Sequence, residues 1–238
     1  MTVERHLDWD SCYNARDLGG LPRRNGGQTR WGAVVRSDNP DRFSEETWAK
    51  VHDYGIRTRI DLRGEHEMLD GVEPKGITRL TIPLDDRSDE EFWNKYGENG
   101  DFTSCTPLYY TPFLDRFPHQ IAKVCTAIAH AEPGGVLLHC AAGRDRTGLI
   151  SLVLLALADV EPEAIVADHA LSTERLKPAW AELNLDDQTA AIEKVIARSG
   201  TTARDSLLAT LERLNARDYL TKAGMSSADV ELLEDRLV

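Results

Sequence analysis

The stretch HCAAGRDRTG, residues 139–148, lies between two apolar runs, GGVLLH (134–139) and LISLVLLALADV (149–160). The first run is short and follows a Pro-Gly-Gly stop, so it reads as a buried strand; the second is long enough for a buried helix. A strand that feeds a helix through such a loop aims successive backbone N–H groups at one point, and the helix N-terminus adds partial positive charge there. The stretch therefore predicts an anion cradle formed by Ala141, Ala142, Gly143, Arg144, Asp145 and Arg146. Gly143 allows a backbone conformation or a close approach that a side chain would block, and Gly148 lets the first helical turn pack closely.

Cys140 is the group that a plain turn does not need. Facing N–H groups and Arg146, its thiol is favoured as the nucleophilic thiolate. Arg146, six positions on, offers a planar fork for two oxygens of one phosphate and keeps its charge at any working pH. It can also stabilise a trigonal-bipyramidal transition state. Thr147 can donate its hydroxyl to the sulfur as it leaves a phosphocysteine, and His139 can brace the loop. A cysteine at a strand end is by itself usually a small buried hydrophobe. Packing does not explain His, Cys, Gly, Asp, Arg, Thr and Gly together in ten residues. No Gly-Lys-Ser/Thr follows, which separates the loop from the ATP-type phosphate loop.

Upstream, WGAVVRS (31–37) and IRTRIDLR (56–63) read as strands around a helix capped by Ser44, with Trp48, Val51 and Tyr54 on one face. A third strand is expected at ITRLTIPL (77–84). The acidic run from Asp85 to about 112 carries Phe92, Trp93 and Tyr96 among its charges and is long for a plain connection, as lids often are. A helix is expected from Leu114 to about Ala131. After the second apolar run, residues from about 161 to 238 are mostly helical by period. No repeat or linker divides the chain. The expectation is one α/β domain over 1–238, with a central, largely parallel sheet flanked by helices, a lid insertion at about 85–112 and a helical C-terminal part.

Composition narrows the function classes. The 238 residues carry 40 Asp and Glu against 28 Lys and Arg, a net charge of −12, so nucleic acid is not an expected partner. The four cysteines, Cys12, Cys105, Cys125 and Cys140, show neither a disulfide framework nor zinc-ligand spacing. No metal or cofactor is expected. The start, MTVERHLDWD, lacks an apolar signal core, and no apolar run reaches the ~20 residues of a membrane span. A cytoplasmic protein without stable membrane insertion is expected, leaderless export remaining compatible.

The loop resembles the signature of the protein tyrosine phosphatase superfamily, His-Cys, five residues, then Arg-Ser/Thr, and more closely its bacterial tyrosine phosphatase branch, whose loop reads His-Cys-x-x-Gly-Lys-Asp-Arg-Thr-Gly. NARDLGG (14–20), RSD (36–38), IDLRGEHE from Ile60, EAIVADHALS before Thr173 and YLTKAGMSSADVELLEDRL at the C-terminus are similar to the same branch. The resemblance implies a cysteine-dependent phosphatase fold, a phosphocysteine intermediate and no metal. It implies activity on phosphotyrosine, sometimes with phosphoserine, phosphothreonine or phosphoinositides, so that the partners are phosphorylated protein or phospholipid and the product inorganic phosphate. Asn14, Arg16 and Asp17 are carried over as loop-supporting residues; without the resemblance NARDLGG reads as a turn. One departure is Arg144, where the family has a lysine linked with lipid-phosphate promiscuity. The alternative for Arg144 is a solvated arginine on the loop rim.

Two places offer the general acid that a leaving oxygen needs. Asp145 lies inside the cradle, where a bound phosphate favours the protonated carboxyl. Asp85 and Asp86 begin the expected lid, where related enzymes carry an aspartate proposed for this role. Asp145 is slightly preferred, its alternative being an orienting partner for loop N–H groups or for an arginine such as Arg16; the alternative for Asp85 and Asp86 is a solvated charge run. Two other functions compete with a phosphatase: a phosphate-binding pseudophosphatase or interaction module without turnover, and a rhodanese-type sulfurtransferase. The former commonly loses the cysteine or the arginine, both present here, and the latter has no need of the Arg-Thr-Gly run.

Overall fold

The computed structural model describes residues 4–69, 71–72, 74–97, 103–182, 184 and 186–238. Five strands form one sheet: β1 (Arg16–Asp17), β2 (Val34–Ser37), β3 (Ile56–Asp61), β4 (Thr78–Thr81) and β5 (Gly135–His139). Their order is β1-β2-β5-β3-β4, with only β1 antiparallel to its neighbour. The unit of β2, helix α1 (Glu45–Asp53) and β3 forms as the sequence predicts, but β2 and β3 do not pair, because β5 lies between them. Cys140 thus follows the central strand, at the carboxyl ends of the parallel strands where open α/β sheets bind ligands.

Every residue of β5 is buried, and alternate side chains face different layers. Leu137, with Val35 and Ile56, packs against Trp48 and Val51 of α1, together with Trp9 and Phe43. Val136 and Leu138, with Val34 and Ile60, pack against α5 (Arg146–Leu157), which is buried on all sides. Helix α1 starts where Ser44 accepts the Thr47 N–H at 3.1 Å.

The expected lid holds helix α2 (Glu90–Tyr96), with Asp89 as its cap. Phe92 and Trp93 pack on Phe113 and Phe117, which anchors this part to the body of the protein. Residues 98–102 of that segment lie outside the described residues. The single helix expected from Leu114 to Ala131 is two, α3 (Tyr110–Arg116) and α4 (Pro118–Ala129), because Pro118 has no N–H to continue α3 but suits a first helical turn. Five helices complete the C-terminal part: α6 (Pro162–Glu182), α7 (Thr189–Arg198), α8 (Ala203–Arg213), α9 (Ala216–Lys222) and α10 (Ser227–Leu237). Among the described residues no helix is long and apolar enough to cross a membrane.

Candidate active site

The loop from Cys140 to Asp145 has all of its carbonyls turned outward onto donors. Ala141 O accepts from Asn39 N (2.9 Å), Ala142 O from Asn14 Nδ2 (2.9 Å) and Gly143 O from Arg36 Nη2 (2.8 Å). Arg144 O faces Arg36 Nη2 and the Tyr110 hydroxyl, both at 3.4 Å. Asp145 O accepts from Leu149 N (2.8 Å) and Tyr110 Oη (3.0 Å), and Cys140 O meets His139 Nδ1 at 3.3 Å. Among the described residues the N–H groups of Ala141 to Asp145 have no acceptor, so the donors remain for the concave side. Gly143 has φ +64°, and a Cβ there would lie 2.2 Å from Ser37 O, so only glycine fits. A Cβ on Gly148 would meet Tyr110 Oη at 2.5 Å; the glycine makes room for the hydroxyl that holds the loop.

A buried polar cluster fixes those outer donors. The Asp168 carboxylate on α6 accepts from Arg16 Nε (3.1 Å) and Arg36 Nη1 (2.8 Å) and also pairs with Arg5. Burial alone would raise the Asp168 carboxyl, but Arg16, Arg36 and Arg5 hold it well below the ordinary carboxylate range. Arg16 donates further to Asn14 Oδ1 (2.6 Å) and Ser172 Oγ (3.0 Å), which joins Asn14 to the same cluster. Asp17, grouped with these residues by sequence, is not brought to the loop: its carboxylate takes Gly19 N and Gly32 N, each at 2.7 Å, together with the Tyr54 hydroxyl. It closes the turns around β1 and β2.

Cys140 is 3% exposed and opens onto a cleft of about 380 Å³, which Arg144, Asp145, Arg146, Tyr13 and Trp180 also line. Arg146 directs Nη1 and Nη2 at the two oxygens of Glu67 (2.6 and 2.7 Å), leaving its Nε without a partner among the described residues. Burial would raise the Glu67 carboxyl, yet the hydrogen bonds and charge of Arg146 lower it. One edge of the Arg146 fork is thus held in place and another is left for a ligand.

Arg144 is buried, not solvated on the rim: its Nε lies 3.2 Å from both Asp145 oxygens, and its Nη2 is 3.4 Å from Gln188 Oε1. Asp85 Oδ2 stands 3.6 Å from Arg146 Nη1 and 3.4 Å from Arg87. Asp86 is turned aside onto Ser88 N (3.1 Å) and Ser88 Oγ (2.6 Å). His139 is fully buried; burial pulls its imidazole down to about 4, against the nearby Asp61 carboxylate, so it is neutral at pH 7. The Thr147 hydroxyl is buried and makes no hydrogen bond, to the Cys140 sulfur or to any other described group.

Sequence reasoning assigned no role to Glu67, Arg36, Tyr110, Asp168 or Ser172. A signal existed for two of them. Ile165, Asp168, Ser172, Leu176 and Ala179 fall at helical spacing on the buried stripe of α6, and a carboxylate on such a stripe needs a cationic partner.

Fold and loop together define a class: α/β proteins that carry a cysteine–arginine loop between the central parallel strand and a buried helix. The tyrosine phosphatase family matches residues 7–238, and the chain belongs to that family. It is 29% identical over 182 residues to a protein of Cupriavidus necator carried under a tyrosine-protein phosphatase name, covering 72% of this chain and 64% of that one. It is 28% identical over 227 residues to the tyrosine-protein phosphatase of Nostoc commune, covering 86% and 74%. It is 26% identical over 184 residues to the triple specificity protein phosphatase PtpB of Mycobacterium tuberculosis, covering 65% and 66%. The chain spans about two thirds of the length of the first and third of these relatives.

Proposed function

We propose that the protein is a cysteine-dependent phosphatase that hydrolyses phosphomonoesters, phosphotyrosine in proteins first, through a phosphocysteine intermediate. The observation that carries the reading is the outward anchoring of every carbonyl from Cys140 to Asp145, which leaves the loop N–H groups unengaged around the thiol. The names of the relatives support it, and the triple specificity in the PtpB name supports a reach beyond phosphotyrosine; we read that reach as phosphoserine, phosphothreonine or phosphoinositide.

In the proposed reaction the phosphate rests on the loop N–H groups and the free edge of Arg146. The Cys140 sulfur attacks phosphorus in line, the P–O bond to the leaving group breaks, and the leaving oxygen takes a proton from Asp145. Water then attacks the phosphocysteine and returns a proton to Asp145, and the sulfur leaves as thiolate, with the Thr147 hydroxyl turning towards it. Inorganic phosphate is released. Asp145 is preferred as the acid because it lines the cleft with Cys140 and Arg146. The 3.6 Å approach to Arg146 favours Asp85 as the second reading, with Asp86 third.

Hydrolysis of p-nitrophenyl phosphate tests turnover, and leaving-group dependence tests the acid. Asp145→Asn is expected to slow phosphotyrosine hydrolysis by about 10²-fold or more, and p-nitrophenyl phosphate much less, because only the basic leaving oxygen needs the proton. The basic limb of the pH profile flattens as well. Equal losses on both substrates, with the selective loss in Asp85→Asn or Asp86→Asn, move the role to that residue.

A further inference from the structure

Arg42 is exposed on the rim of the cleft that holds Cys140. Its acidic neighbours in sequence are both occupied. Asp41 takes Arg63 through two hydrogen bonds, at 2.8 and 3.0 Å. Asp38 accepts from the N–H groups of Tyr13 and Asn14 and from the Cys12 thiol. The other two arginines of the cleft are engaged as well, Arg144 with Asp145 and Arg146 with Glu67. Among the described residues Arg42 has no ion pair and no hydrogen bond, in a chain whose net charge is −12.

Tyr13 stands beside it. Burial first, then a hydrogen bond with Glu182, push the Tyr13 hydroxyl up to about 12, while the Arg42 charge opposes them. With Tyr13 and the half-buried Trp180, the cleft has two aromatic walls and one unneutralised cation, and Cys140, Ala141 and Ala142 of the cradle line the same cleft.

We propose that Arg42, with the Tyr13 wall, is a specificity subsite for the carboxylate of an Asp or Glu flanking the phosphorylated residue in an acidic phosphopeptide. The inference rests on the phosphatase reading and adds the substrate's sequence context to it. An anionic membrane surface is the disfavoured partner. Its many charges face the whole acidic protein, whereas a peptide side chain in the cleft meets Arg42 directly and is screened from charges beyond about 8 Å.

Binding tests the subsite without needing turnover. In a Cys140→Ser background, Kd is measured calorimetrically for three phosphotyrosine peptides that differ only in flanking Glu, Ala or Lys. The Glu peptide is expected to bind about threefold to fivefold more tightly than the Ala peptide, the scale of a partly exposed ion pair. Arg42→Ala should erase that preference and Arg42→Glu should transfer it to the Lys peptide, a reversal that a merely structural role for Arg42 would not produce. A Glu preference that survives Arg42→Glu, equal affinities in the Arg42 form, no binding of any peptide, or an Arg42 dependence seen only with vesicles containing a phosphoinositide would each overturn the proposal. Failure of the phosphatase reading shows separately, as absence of p-nitrophenyl phosphate hydrolysis by the unaltered enzyme.

Discussion

Cys140→Ser is expected to lower turnover by at least about 10⁴-fold while phosphate or vanadate still binds. In the proposed cradle the donors are main-chain N–H groups and Arg146, and none of them depends on the sulfur. Their orientation comes from the carbonyl partners outside the loop, Asn39, Asn14, Arg36 and Tyr110, which the substitution leaves in place. A serine hydroxyl in the same position is a far weaker nucleophile than a thiolate. Binding and catalysis should therefore separate. Retention of most activity by the serine variant would rule out the sulfur as nucleophile; loss of oxyanion binding together with activity would mean that the cradle itself had collapsed.

The second large effect is on stability. Asp168 neutralises three arginines, two of which, Arg16 and Arg36, are almost wholly buried. Asp168→Asn leaves those charges buried without a counter-ion, at a cost of about 3–5 kcal/mol, or on the order of 10 °C in Tm for a chain of this size. Arg36 also holds Gly143 O, so the folded fraction should bind phosphate less tightly. The pH dependence follows from the sign of the shift. The folded carboxyl is depressed, so its contribution is fully present above the unfolded value near 4 and is lost as pH falls towards the folded value. Denaturant titrations between about pH 7 and pH 3 should show this acid-side decline in the unaltered protein and a flatter profile in Asp168→Asn. Parallel profiles would show that the carboxylate does not carry the stabilisation.

What the sequence reveals follows how local each determinant is. Strand, cradle and helix occupy one continuous stretch, so their order can be read directly, and Gly143 marks the close approach to Ser37. The cap at Ser44 and the buried face of Trp48 and Val51 are equally local. Strand β1 has two residues and exists through its pairing with β2, so propensity gives no signal for it. The Arg16–Asp168 contact spans 152 positions, and the bond between Asn14 Nδ2 and Ala142 O spans 128. The first depends on where α6 packs and the second on where the N-terminal segment meets the loop, and neither is a local property of the sequence. The break at Phe117–Pro118 could have been read from Pro118 alone, since proline cannot continue a helix that starts before it. Glu67 went unassigned because a surface-like Glu-His-Glu run gives no local reason to face an arginine 79 positions away.

The central claim is that phosphate passes through Cys140. Rapid acid quench of the enzyme during turnover of a phosphotyrosine peptide, followed by proteolysis and mass spectrometry, tests it directly. The account predicts one added phosphoryl group on the peptide containing Cys140 and none on the same peptide from Cys140→Ser. A phosphoryl group on any other residue, or steady turnover with Cys140 never modified and its serine variant still active, would contradict it.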